Sequence, residues 1–207
     1  MIDRVRSPFA PLPGMEAPQR GIFIDRWGTL LDLAGHDAGA FDPELFSPGC
    51  VDALFRASQS RWNLYLIGND DSVALGRRTR EEWEAFDEGM HTSLASFGVR
   101  FLRDYTCQID PADDGVVGAT DSVYRLPNTG AFYHAAHNDD ILLDKSWVVG
   151  DSTIELVAGW RAGVKTLGLG SGQALGDGEF HVDPDLEASD LADAIQGLLE
   201  LAGSLMH

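Results

Sequence analysis

The chain has 207 residues, 33 acidic and 15 basic, for a formal net charge of −18. That balance argues against a nucleic-acid partner, because a phosphate backbone would be repelled. An apolar content of 44% allows a full core, yet no apolar run is long enough for a membrane helix, and Arg4 and Arg6 are not followed by the apolar stretch of a secretory signal. Cys50 and Cys107 lie far apart, which suits reduced thiols and a cytoplasmic setting.

Residues 1 to 20 carry Pro8, Pro11, Pro13 and Pro18 and read as an extended leader. Gly21 to Asp25 is a short apolar run that ends abruptly in an acid, the pattern of a buried parallel strand. A loop follows from Arg26 to Pro48. Pro48-Gly49 opens a helix through about Ser58, with Val51, Leu54 and Phe55 facing inward. Trp62 to Ile67 is a second strand, stopping at Gly68-Asn69-Asp70-Asp71.

Thr79 and Glu82 form a capping box, and the helix behind them places Trp83, Phe86, Met90, Leu94 and Phe97 on one core-facing stripe. Val99 to Thr106 reads as a third strand, residues 108 to 122 as an exposed loop, and Thr129 to His137 as a helix. Trp147 to Val149 is a strand ending in Gly150-Asp151, Thr153 to Trp160 a helix, and Val164 to Leu167 a strand. Gly168 to Gly178 is a glycine-rich flexible loop, and Ser189 caps a last helix using Leu191, Ile195, Leu198 and Leu205. Alternating strands and helices predict a parallel sheet covered on both faces, in one domain over residues 21–207.

Three strand ends carry polar punctuation: Asp25, Asn69 and Asp151. Ligands of open α/β sheets bind outside the carboxyl ends of the strands. A carboxylate there can act as a nucleophile or a metal ligand, and Glu155, one helical turn beyond Asp151, can share a hard cation with it.

With these placements the sequence resembles the haloacid dehalogenase superfamily, and within it the branch of D,D-heptose 1,7-bisphosphate and histidinol-phosphate phosphatases. Asp25-Arg26-Trp27-Gly28-Thr29 is similar to the family's D-x-D-G-T. Gly68 to Gly76 is similar to its T-N-Q-S-G-I-A-R-G, Arg125 to Gly130 to its R-K-P-x-P-G, and Gly150 to Gly159 to its G-D-x-x-x-D-x-x-A-G. The resemblance implies a three-layer α/β/α Rossmann-like fold, with a minimal cap or none given the short insertion after strand one. It implies that Asp25 is the nucleophile toward a phosphoryl group. Mg²⁺ would lie among Asp25, the backbone carbonyl of Trp27, Asp151 and Glu155. Gly68, Asn69 and Arg125 would fall at the substrate.

Three positions depart from the pattern. Trp27 stands where a second Asp would protonate the leaving oxygen, a role contributing roughly 10²–10⁴-fold. Gly68 stands where a hydroxyl is expected and Leu126 where a Lys would clamp the phosphoryl group, the kind of charge that is usually the largest catalytic term. Asp70 and Asp71 add negative charge at the substrate's entrance. Arg125 or Lys145 are the candidates to replace the missing Lys. The branch's zinc cluster is also incomplete: Cys107 fits its first ligand, Ile109 replaces a His, and no further Cys follows, so no zinc is expected. His134 and His137 have metal-ligand spacing on one predicted helix but read as core or solvated residues, and Asp139-Asp140 as a helix-end loop.

Three functions compete on this evidence. One is a degenerate phosphatase fold that binds a small phosphorylated ligand or a protein partner. Another is an active phosphomonoester hydrolase with a relocated acid and cation. The third is dehalogenase-like displacement at Asp25, where an aromatic two residues on is tolerated because a halide leaves without a proton.

Overall fold

The computed structural model describes residues 19–108 and 122–204. The leader up to residue 18 and most of the predicted loop after Gln108 lie outside the described residues, as does Leu205. Among the described residues there are five α-helices, α1 (Cys50–Ser58), α2 (Arg80–Ser96), α3 (Gly130–Asp139), α4 (Thr153–Ala162) and α5 (Leu191–Ser204), and eight strands. The strands are β1 (Arg20–Asp25), β2 (Trp62–Ile67), β3 (Asn69–Asp70), β4 (Arg103–Asp104), β5 (Cys107–Gln108), β6 (Trp147–Gly150), β7 (Lys165–Leu169) and β8 (Leu186–Ala188).

Six of them form one parallel sheet in the order β4-β2-β1-β6-β7-β8, and β3 and β5 pair separately. Because successive side chains leave a strand on opposite faces, Ile22 and Ile24 of β1 enter one core while Phe23 enters the other. The first core gathers α1, α2 and α5, and the second gathers α3 and α4. This is the three-layer α/β/α architecture expected.

From β1 the chain crosses to β2 on one side and later returns to β6 on the other. That reversal opens a crevice beyond the carboxyl ends of β1 and β6, where Asp25 and Asp151 sit.

Several details differ from the sequence reading. The predicted third strand, Val99 to Thr106, shrinks to β4 in the main sheet, and β5 follows just beyond its predicted end, paired with β3 instead. In α1 the buried face is Cys50, Ala53, Leu54 and Ala57, and Phe55 is exposed. The stripe of α2 holds for Phe86, Met90 and Leu94, but Phe97 is the exposed C-cap residue. The capping box of Thr79 and Glu82 forms as expected. The glycine-rich segment contributes Gly168 and Leu169 to β7 before it turns, and β8 was not foreseen. No helix among the described residues is long and apolar enough to cross a membrane.

Candidate active site

Asp25 ends β1, and one of its carboxylate oxygens accepts the backbone N–H of Trp27 at 3.0 Å. Beside it, Asp151 follows β6, and Glu155 is the third residue of α4, where it accepts the Ser152 N–H at 2.5 Å and the Ser152 hydroxyl. All three are buried, and one oxygen of each lies within 4.8 Å of the others. Burial, followed by the charges of Glu155 and Asp151, raises Asp25 well above the usual carboxylate range. Burial also raises Asp151, and it pushes Glu155 up to about 8.

Three buried carboxylates that repel one another form an all-oxygen donor set. That set fits a hard divalent cation, whose charge would remove the repulsion.

Asp151 is held on every side. Its Oδ1 accepts the Thr29 hydroxyl at 2.9 Å, its Oδ2 accepts the Gln173 N–H at 2.7 Å, and its carbonyl accepts the Leu175 N–H at 2.7 Å. The segment supplying those amides can approach because residue 172 is glycine: a Cβ there would fall 2.2 Å from Asp151 Oδ2 and 2.6 Å from the Gly28 carbonyl. Gly172 also has φ +60°, a left-handed conformation favouring glycine. Neither Gln173 nor Gly172 was singled out from the sequence, where glycine-rich composition suggested only mobility.

The other side of the crevice is packed. The Trp27 ring is 5% exposed and stacks on His36 at 4.2 Å between ring centroids, with Phe86 at 5.8 Å. Its indole N–H donates to Asp70 Oδ2 at 3.2 Å. Arg78 lies over Phe86 at 4.2 Å and ties down the carbonyls of Gly35 and Ala38, so the loop after β1 closes onto Trp27. Beside this packing Asp25 is only 7% exposed.

Asp70 does not place charge at an entrance, as expected from sequence, but is fully buried. It accepts the Ser72 N–H and hydroxyl at 2.9 and 2.5 Å. Burial favours its neutral form, but the Ser72 hydrogen bonds and the Arg26 charge outweigh this and hold it below the usual range.

Leu126 is buried in the second core among Phe23, Ile67 and Phe132. Its backbone N–H and C=O are both clamped by the Asn69 side chain at 2.9 Å, so that amide is committed to the loop. Arg125 forms a two-pronged ion pair with Asp71 at 2.8 and 3.1 Å. Lys145, two residues before β6, pairs with Asp144 at the opposite sheet edge. Gly68 has φ +149°, and a Cβ there would meet Asp25 Oδ1 at 3.3 Å, so the backbone that replaced the expected hydroxyl favours glycine.

Arg26 is fully buried and its Nη2 bridges Asp87 and Asp104 at 2.5 and 2.6 Å. His91 joins the same carboxylates, giving a second cluster with ligand-like spacing, but the guanidinium already occupies it. His134 Nδ1 meets the Tyr124 hydroxyl at 2.8 Å, and Cys107 is buried beside Asn69 in the β3–β5 register. Asp139 is more than a helix-end residue: it accepts Arg103 at 2.6 and 2.8 Å and the Tyr65 hydroxyl at 3.2 Å.

No family model matches the chain, consistent with motifs that depart at the positions above. Individual relatives do match. The D-glycero-beta-D-manno-heptose-1,7-bisphosphate 7-phosphatase of Yersinia pestis is 30% identical over 180 residues, 84% of this chain and 94% of that protein. The D-glycero-D-manno-heptose-1,7-bisphosphate 7-phosphatase of Thermosynechococcus vestitus is 29% identical over 187 residues, 86% and 95% of the two chains. Among solved structures, D,D-heptose 1,7-bisphosphate phosphatase from B. bronchiseptica, complexed with magnesium and phosphate, superposes with a TM-score of 0.70. That pair shares 27% identity over 88% of this chain and 99% of the other. Sheet order, the placement of Asp25 and Asp151, and these near-full-length matches lead to one assignment: the chain has the fold of haloacid dehalogenase-like hydrolases and belongs to the D-glycero-beta-D-manno-heptose-1,7-bisphosphate 7-phosphatase family.

Proposed function

We propose that this protein keeps the cation-binding and nucleophile half of a phosphatase site, binds a small phosphorylated ligand there, and hydrolyses phosphomonoesters weakly or not at all. The observation that carries the reading is Trp27: the position of the leaving-group acid holds a buried indole whose N–H is already spent on Asp70. Asp70 is no substitute acid, since its environment favours the carboxylate. Asp25 is raised by burial and by the charges of Glu155 and Asp151, against the lowering effect of the Trp27 and Arg26 backbone N–H groups.

Asp25, Asp151 and Glu155 would hold Mg²⁺, which when bound supplies positive charge to offset the carboxylates and a ligand's phosphoryl oxygens. Thr29 and the Gln173 amide orient Asp151, and Ser152 orients Glu155.

A second reading is an active phosphomonoester hydrolase. It is favoured by near-full-length similarity to proteins named as phosphatases. Arg125 could supply a cation in it, since its pair with Asp71 is partly exposed. Phosphate release from sugar phosphates by the purified chain with Mg²⁺ separates the two. The first reading expects release at or barely above that of Asp25→Asn. A turnover lost in Asp25→Asn and strongly reduced in Arg125→Ala establishes the second.

A further inference from the structure

The sheet has another functional-looking edge, opposite Asp25. The first residues of its four central strands run across it as Trp62, Arg20, Trp147 and Lys165. Arg20 is in register with Trp62, and Trp147 with Lys165, so each pair shares a face. The Arg20 guanidinium lies 4.3 Å from the Trp62 ring centroid, and Lys165 Nζ lies 5.3 Å from that of Trp147. With Lys145 and the end of α5 these side chains line a cavity of about 130 Å³. That is the liquid volume of roughly four waters.

Cations over indoles are common coverage for a sheet edge. Here three basic side chains converge in a chain with 33 acidic and 15 basic residues. Only Lys145 has a carboxylate neighbour, Asp144 at 3.3 Å; among the described residues Arg20 and Lys165 form no ion pair. The indole N–H of Trp62 is buried without a hydrogen-bond partner among the described residues, and Trp62 is 6% exposed. Such a donor costs free energy until an acceptor meets it. Leu198 and Leu201 supply apolar surface beside it.

We propose that this edge binds a small organic anion: a carboxylate on a short aliphatic or aromatic stem. The carboxylate would lie against Arg20 and Lys165, and the stem against the indoles and Leu198. The site is separate from the crevice at Asp25 and does not depend on the reading of that crevice.

The test titrates the isotope-labelled full chain with hexanoate, hexanol and inorganic phosphate. It follows the indole N–H resonances, assigned with Trp62→Phe and Trp147→Phe. Hexanoate should shift the Trp62 and Trp147 signals saturably, with hexanol and phosphate about tenfold weaker or worse. Arg20→Gln and Lys165→Ala should each weaken hexanoate by about threefold or more, consistent with loss of one cation at a partly exposed site. Their far-UV dichroism should match the parent. Hexanol equal to hexanoate would leave a merely greasy cleft, and phosphate equal to it a bare-anion patch. Either result overturns the proposal, as does unchanged affinity in both folded variants or the absence of any shift.

Discussion

The crevice beyond β1 has two walls that were built by opposite rules. On the β6 side, Asp25, Asp151 and Glu155 are buried together, and each is fixed by hydroxyl or amide donors. On the β2 side, Trp27 and Leu126 have become core, Gly68 has only backbone to offer, and Asp70, Asp71 and Arg125 are paired with protein groups. One wall holds electrostatic strain that a ligand could relieve. The other is packed and its hydrogen bonds are satisfied, which stabilises the chain whether or not anything binds.

The sharpest way to break this contrast is to refit the packed wall. Trp27→Asp combined with Leu126→Lys should raise Mg²⁺-dependent phosphate release by roughly 10²-fold or more, the scale of one general acid. Asp25→Asn in the same background should abolish the gain; colorimetric phosphate release reads both. Trp27→Ala, which supplies no acid, should instead cost about 3–5 kcal/mol in urea unfolding, as expected for emptying a buried aromatic site. A loss below about 1 kcal/mol would mean the ring is not structural.

On the charged wall, saturating Mg²⁺ should stabilise the chain by about 2.7 kcal/mol at a hundredfold excess over Kd. Calorimetry should show that Asp151→Asn removes this response. Gly172→Ala should cost about 1–3 kcal/mol and weaken Mg²⁺ binding, because its methyl would collide with the Asp151 carboxylate.

The smallest effect concerns the ion pairs behind the wall. Arg26 heads the causes that hold Asp104 below its ordinary value, against the opposing effect of burial. A folded pKa lower than the unfolded one gives stability that is complete above about pH 4 and is lost as pH falls toward the folded value. Urea midpoints should therefore drop on acidification below that point, and Asp104→Asn should flatten the drop.

The charged wall was legible because it is local in sequence: an apolar run ending in an acid, twice, places two carboxylates at neighbouring strand ends. Trp62–Ile67 and the Thr79–Glu82 cap were readable for the same reason. What escaped depends on contacts between distant segments. Asp70 looked like entrance charge until the fold brought Trp27 onto it across 43 positions. Gln173 contributes only a backbone amide, a group every residue but proline carries, so no residue type could announce it. The contacts that Trp27 and Arg78 make with the loop after β1 likewise join positions far apart in the chain.

The amides of Gln173 and Leu175 that grip Asp151 belong to a turn containing three left-handed residues, Gly172, Ala174 and Leu175. A grip made by the main chain survives replacement of almost any side chain in that turn. It also ties the turn's order to the acid's occupancy, since whatever immobilises one restrains the other. A protease able to cut between Gly170 and Gly178 would then report on the far side of the crevice, cleaving more slowly once the carboxylates have company.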